Sequence, residues 1–232
     1  MGGAGAGGAA VPCRSPEGAG RGRRPPGRRQ KARGRRQQAE WSRRSGAGRV
    51  EQRVDVLERI ARRALDADVP GVRLVGIDGP SGSGKSTLAA RVATRLGAPT
   101  VPIDDFVSWG DVTGWWPRFE EQVLAPLLAG RDAVYQQRDW SDWRGDSLGG
   151  WRTVAWAPVV VLEGVTCTRG AAGPLACRVW VETPRDERLR RGLERDGAEH
   201  RSLWERWMRE EDAFFAADAT RARADVVVPG TA

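Results

Sequence analysis

Nine consecutive residues constrain this chain more than anything else in it: Gly79, Pro80, Ser81, Gly82, Ser83, Gly84, Lys85, Ser86 and Thr87. They match Gly-x-x-x-x-Gly-Lys-Ser/Thr, the Walker A pattern of a phosphate-binding loop. Glycines let the backbone curl until successive N–H groups converge on an anion. The lysine carries a mobile cation to the β- and γ-phosphates of a nucleotide, and the Ser86 hydroxyl is placed to ligate Mg2+. A helix starting at the lysine adds its N-terminal dipole to the same spot. The flanks agree with this reading. Val72–Ile77 is a short apolar strand, and Thr87–Leu96 puts Leu88, Val92 and Leu96 on one helical face before Gly97 stops it. The competing reading is a Gly/Ser linker with a stray lysine, and composition argues against it. Lys31 and Lys85 are the only lysines among 38 basic residues. A chain that writes its cations as arginine has used lysine where a compact point charge must reach phosphate.

Further strands are expected at Pro99–Ile103, Pro158–Gly164, Cys177–Val181 and Asp225–Pro229. Between and before them, helical spacing covers Val50–Asp68, Trp116–Leu128 (broken or kinked near Pro126), Arg185–Arg195 and Glu199–Thr220. Residues 131–157 read as irregular and rich in Asp, Gly and Trp. Alternation of strand and helix implies an α/β domain over residues 50–232: a P-loop NTPase fold with a five-stranded parallel sheet flanked by helices. Ligands of such sheets gather at the carboxyl ends of the strands. Two strands end there in acids, Asp104 and Glu163. Mg2+ needs oxygen ligands beside the phosphates, and transfer to an alcohol needs a carboxylate to take the hydroxyl proton. Asp78 and Asp105 are read instead as caps of a helix or turn.

The formal charge of +8 belongs to the N-terminal end. Residues 1–49 carry 13 Lys/Arg against two Glu, whereas residues 50–232 carry 25 basic and 28 acidic residues. That Gly/Arg-rich segment has almost nothing apolar to bury and is expected to be a disordered arm. Its one aromatic, Trp41, gives little basis for stacking on RNA, so nucleic-acid contact by the arm is the weaker reading beside a solvated tail or an extended start. It lacks the apolar core of a secretory signal, and no run approaches the roughly 18 apolar residues of a membrane span. Cys13, Cys167 and Cys177 form no Cys-x-x-Cys pair, which points to buried thiols in a reducing compartment. A cytoplasmic protein is expected.

Taken in order, these pieces resemble the uridine kinase-like group of P-loop kinases over residues 70–230. Gly76–Thr87 looks like that group's opening strand and loop. Ile103-Asp104-Asp105-Phe106 is similar to its Asp-Ser-Phe-Tyr motif, whose first Asp is the catalytic base. Val161-Leu162-Glu163-Gly164 resembles its Leu-Glu-Gly, whose Glu lies beside the metal. Arg188–Asp196 looks like its lid, which the likeness extends over about 186–200, and Ala224–Val228 matches its closing strand. The departures concern the acceptor. Asp105 and Val107 stand where the group has Ser and Tyr, and Tyr135–Trp140 replaces its His- and Pro-containing substrate motif.

The resemblance implies ATP as phosphate donor with Mg2+, Lys85 and Asp104 in catalysis, and Ser86 and Glu163 at the metal. Arg188, Arg191 and Arg195 share one helical face and form either a solvated surface or a lid fork over the triphosphate, with Arg188 the weakest candidate. Of the 11 Trp, seven lie between 109 and 156. Trp109 and Trp140 are taken as acceptor-stacking candidates and Asp139 as a hydroxyl acceptor. His200 is expected on a solvated helix. The expected activity is ATP-dependent phosphorylation of a hydroxyl on a small molecule, foremost a nucleoside. The alternatives are a kinase for a nucleoside monophosphate, sugar or vitamin precursor, and an ATP-binding or ATP-hydrolysing regulator with no small-molecule acceptor.

Overall fold

Apolar residues on both faces of each strand explain the architecture. In β5 (Val159–Glu163), Val159 and Val161 face one cluster of buried side chains while Val160 and Leu162 face another. A strand buried on both faces belongs in the middle of a parallel sheet. The computed structural model describes residues 56–111, 113–141 and 147–230. In it β5 lies between β1 (Arg73–Asp78) and β2 (Thr100–Pro102), and β1 is flanked on its other side by β6 (Cys177–Glu182) and then β7 (Val226–Pro229). The order is β2-β5-β1-β6-β7, with every pairing parallel. This is the expected five-stranded parallel sheet. The expected arm 1–49, with Trp41 and Cys13, lies outside the described residues.

Helices cover both faces. A helix over 56–65 (α1) is the described part of the expected Val50–Asp68 element. Its Ile60 and Ala64 join Leu88 and Val92 of α2 (Lys85–Leu96) against Val75, Ile77, Val161 and Val179. On the opposite face, α6 (Arg201–Asp218) sends Trp207 and Phe215 into the cluster that holds Leu74, Leu162 and Trp180. Between β6 and α6, α5 (Arg185–Asp196) follows the short Thr183-Pro184 turn.

Two local readings change. The break expected near Pro126 is a π-helical stretch, Glu120–Leu124, between single α-helical turns α3 (Trp116–Phe119) and α4 (Ala125–Leu128). Pro126 supplies no N–H, and just before it the ladder widens so that the Ala125 N–H donates to the Glu120 carbonyl, five residues back. Residues 131–157 are not irregular throughout. They hold an antiparallel hairpin, β3 (Ala133–Arg138) with β4 (Leu148–Val154), in which Tyr135 opposes Arg152 and Gln136 opposes Trp151. Only Ala133, Tyr135 and Val154 face inward as buried residues. That is too few positions to show alternation in sequence, and a bulge between Gln136 and Arg138 interrupts it further.

The turn out of β1 tolerates no side chain. Gly79 has φ 144°, and a Cβ there would lie 2.2 Å from the Val181 carbonyl oxygen of the neighbouring strand. Gly79→Ala is therefore expected to cost more than about 2 kcal/mol, through both a backbone conformation closed to L-residues and a backbone clash. A urea midpoint indistinguishable from that of the unaltered protein would refute this.

Candidate active site

Because the strands are parallel, their carboxyl ends share one edge, and the chain's chemistry gathers there. Glu163, the last residue of β5, stands level with Ile77 of β1 and Pro102 of β2. It is thus one step from both Asp78 and the 3-10 turn Ile103–Asp105 that presents Asp104. The loop 79–84 leaves β1 and enters α2 through Gly84, whose φ of 94° is the left-handed geometry glycine permits. No side chain caps α2. Its first-turn N–H groups have no intrahelical acceptor and point where a phosphate would sit.

A cavity of about 350 Å3 opens over this loop. Lys85, Ser86, Glu163, Asp104, Arg191 and Arg195 all line it, together with Ser81, Gly82 and Gly84 of the loop. Lys85 is buried, and its Nζ donates to the Pro80 carbonyl at 3.3 Å. The Ser86 hydroxyl donates to Glu163 Oε1 at 3.1 Å. Burial pushes the Glu163 carboxyl above its ordinary range, Lys85 and the Ser86 bond oppose that shift, and Asp104 and Asp78 add to it. A hydroxyl and a carboxylate side by side are hard oxygen donors of the kind Mg2+ takes. Among the described residues no group of three or more His, Cys, Asp or Glu forms a metal cage. The donor set therefore fits an ion that also takes oxygens from phosphate and water. Glu163→Gln, which removes a charge from a buried position, should raise the unliganded protein's melting temperature by about 2–4 °C, the shift that ~1 kcal/mol gives in a chain of this size. A lower melting temperature would show that the charge is better compensated than argued.

Asp78 is not exposed at all. Its carboxylate accepts four hydrogen bonds, from the N–H groups of Gly79 (2.7 Å), Thr166 (2.9 Å) and Thr168 (2.8 Å) and from the Thr168 hydroxyl (2.9 Å). Burial raises its pKa, against these bonds and Lys85. The residue ties the start of the phosphate loop to the segment after β5, a wider task than capping one turn. Thr166 holds φ 66° within this clasp, a left-handed backbone rare for a β-branched residue.

A second cavity, of about 330 Å3, shares Ser81, Asp104, Arg195 and Trp204 with the first. Its walls are indoles. Trp109 meets Trp140 (centroids 6.2 Å), Trp204 (6.4 Å) and Trp207 (5.2 Å) in edge-to-face contacts. Trp140 Nε1 donates to the Asp104 main-chain oxygen at 2.9 Å, pinning the turn that carries the acid. Asp105 also lines this cavity and caps no helix. Its Oδ2 accepts from the Tyr135 hydroxyl (2.9 Å) and pairs with Arg152 (3.0 Å), which ties the 3-10 turn to the hairpin.

The other candidates separate clearly. Arg191 donates to Glu187 (2.8 Å) and to the Gly82 carbonyl (3.3 Å), and Arg195 is paired with Asp196 while lying over the Trp204 ring at 5.6 Å. Arg188 lines neither cavity. It is buried against Glu211 at 2.7 Å. Asp139 also lines neither. Its carboxylate accepts the Ser141 N–H (2.9 Å), which holds it below the usual carboxylate range. His200 ends a 3-10 turn at the start of α6, with Nδ1 2.8 Å from the Asp196 carbonyl. Cys167 and Cys177 are buried free thiols. No helix among the described residues is long and apolar enough to cross a membrane. Sequence reasoning passed over Trp204, Trp207 and Glu211 of α6. The available signal was an acid within a stripe (204, 207, 208, 211, 215) that is otherwise apolar.

Strand order, phosphate loop and acids at the strand ends together define the fold of the P-loop kinases. Within it, the chain is similar to a solved structure described as a possible uridine kinase from Bacillus stearothermophilus. The two share 21% sequence identity over 75% of this chain and 97% of that one, at a TM-score of 0.53. A Silicibacter structure, provisionally described as a fructose transport system kinase, matches over 75% of this chain and 98% of its own at 21% identity and a TM-score of 0.46. No protein-family model and no curated protein matches the chain.

Proposed function

We propose that this protein is an ATP-dependent kinase that phosphorylates a hydroxyl of a small molecule, foremost a nucleoside. One observation carries the reading. Asp104 lines both cavities, so a single carboxylate faces the phosphate loop with Lys85, Ser86 and Glu163 on one side and the indole-walled space on the other. Residues 50–232 would form the kinase domain, with α5 as its lid.

In this reading the loop amides and Lys85 hold the phosphates of ATP, and Ser86 and Glu163 hold Mg2+ directly or through water. The ion, when bound, supplies charge neutralisation across the transferring phosphate. Asp104 orients the acceptor hydroxyl and takes its proton as the bond to phosphorus forms. Arg191 and Arg195 close from α5 and help exclude water. Trp109 and Trp140 offer flat faces and edges to an aromatic ring, which favours a base-bearing acceptor over a bare sugar. Among the described residues lining the second cavity, Arg195 alone is cationic, and it is already paired with Asp196. That charge balance suits an uncharged acceptor better than a nucleoside monophosphate, whose phosphate needs its own cations.

The test is the whole chain with Mg·ATP against nucleosides, nucleoside monophosphates, sugars and vitamin precursors, with phosphorylated product as the readout. A phosphorylated nucleoside supports the reading. ATP hydrolysis at one rate, whatever acceptor is offered, overturns it in favour of a regulator.

A further inference from the structure

Glu211 is the one acid in the apolar stripe of α6, and it is fully buried. It is spent on three elements at once. Its Oε1 accepts from Arg188 of α5 at 2.7 Å. Its Oε2 accepts from the Ser81 N–H of the phosphate loop at 2.9 Å and from Trp207 Nε1 at 3.1 Å. The same Trp207 N–H reaches the Ser81 hydroxyl at 2.8 Å. Trp207 is a wall of the second cavity, and Ser81 lines both. A buried carboxylate is costly to desolvate, and packing alone would be served as well by an apolar side chain.

The loop is held closely here. A Cβ on Gly82 would lie 2.7 Å from the Arg188 carbonyl oxygen, so α5 rests directly on the turn next to Ser81. Arg191, one turn further along α5, donates to the Gly82 carbonyl. Moving the Ser81-Gly82 turn therefore moves Glu211's bonds, and through them the Trp207 indole and the seat of α5.

We propose that Glu211 is a positioning residue that couples the two cavities, linking the phosphate loop at Ser81 to the acceptor wall at Trp207 and to α5 at Arg188. Phosphate arriving on the loop shifts the Ser81 end of the linkage, and the Trp207 ring and α5 follow. Glu211 touches neither ligand, and the inference rests on the reading of the two cavities given above.

The experiment uses the full chain and Mg·ADP as the probe, with binding measured by calorimetry and the linkage read as the change in tryptophan emission on binding. The unaltered protein is expected to bind and to change its emission. Trp207→Phe removes the N–H donor together with the indole reporter, so the loss of most of that change in this variant assigns the signal to Trp207, and calorimetry reads the linkage there as weaker Mg·ADP binding. Two paired variants separate positioning from stability. Arg188→Met with Glu211→Met removes the ion pair and both carboxylate oxygens, and leaves Trp207 only its bond to the Ser81 hydroxyl. It should remain folded, because apolar replacement of a buried pair is tolerated. It should bind Mg·ADP about tenfold more weakly and lose the emission change. Arg188→Gln with Glu211→Gln also removes both charges but leaves an acceptor oxygen for Ser81 and Trp207, and should keep the change. An undiminished response in Trp207→Phe or in the folded methionine pair overturns the proposal, as does a glutamine pair that fails as fully as the methionine pair. So does an unaltered protein that binds Mg·ADP with no emission change. An unaltered protein that binds no Mg·ADP overturns the phosphate-site reading instead, so the two failures are distinguishable. Should the methionine pair not fold, Trp207→Phe decides the matter by calorimetry, where weaker Mg·ADP binding supports the linkage and unchanged binding overturns it.

Discussion

Lys85→Arg is expected to leave a stable protein whose turnover has fallen by roughly 10³-fold, the scale of losing one preorganised charge at a transferring phosphoryl group. Elsewhere this chain writes nearly all its cations as arginine, so the substitution looks conservative by composition. It is not conservative by shape. Lys85 is buried at the mouth of α2, and its ammonium donates to the Pro80 carbonyl. A planar guanidinium on a longer stem keeps the charge but does not bring it to the same point. Charge and geometry can then be separated by Lys85→Ala. Lys85 lowers the pKa of three buried carboxyls, Asp78, Glu163 and Glu211, each of which burial has raised. With folded-state values above unfolded ones, the folded protein holds more protons, and stability falls as pH rises through the range above about 4. Removing the ammonium raises those values further. Lys85→Ala should therefore lose stability more steeply with pH than the unaltered protein, while Lys85→Arg follows the unaltered curve. Thermal melts across pH 4 to 8 with phosphate-transfer assays at one pH check both parts. Parallel stability curves for all three proteins would show that the lysine's field does not reach the carboxyls.

Asp104→Asn has the second largest expected effect, a loss of turnover of about 10²–10⁴ with Mg·ATP affinity changed by less than about twofold. The substitution leaves the backbone in place, because Trp140 grips the main-chain oxygen of residue 104 and not its carboxylate. It also removes a negative charge that pushes the Glu163 carboxyl up. Metal and nucleotide binding should thus be preserved or slightly improved while transfer fails. Asparagine can still accept a hydrogen bond from the acceptor hydroxyl but cannot take its proton. Normal transfer by this variant would move the base elsewhere, with Asp105 the nearest carboxyl in the same cavity.

How far the sequence discloses such a molecule depends on how the chemistry is distributed along it. The phosphate loop is legible because a backbone cradle must be built from adjacent residues. Glu163 is legible because an acid closing an apolar run has no packing reason to be there. Both features belong to one strand or one turn. The indole-walled cavity is hidden because it is assembled from a 3-10 turn, a hairpin and α6, about a hundred residues apart in the chain. Trp109 and Trp140 could be singled out by composition. Trp204 and Trp207 could not, since helical spacing alone reads them as core. Arg188 shows the limit of face-sharing arguments. It lies three residues before Arg191 on one helix, yet it points to Glu211 while Arg191 reaches the loop.

Among the described residues the two cavities meet at four, Ser81, Asp104, Arg195 and Trp204. In a phosphate-transferring enzyme of this layout that neck is a leak, since water entering through it would be phosphorylated in place of the acceptor. Under the proposed function the acceptor is therefore also the stopper. An acceptor analogue lacking its hydroxyl should slow the enzyme's wasteful ATP hydrolysis, and a short alcohol that leaves the indole box half empty should waste more ATP for each product made.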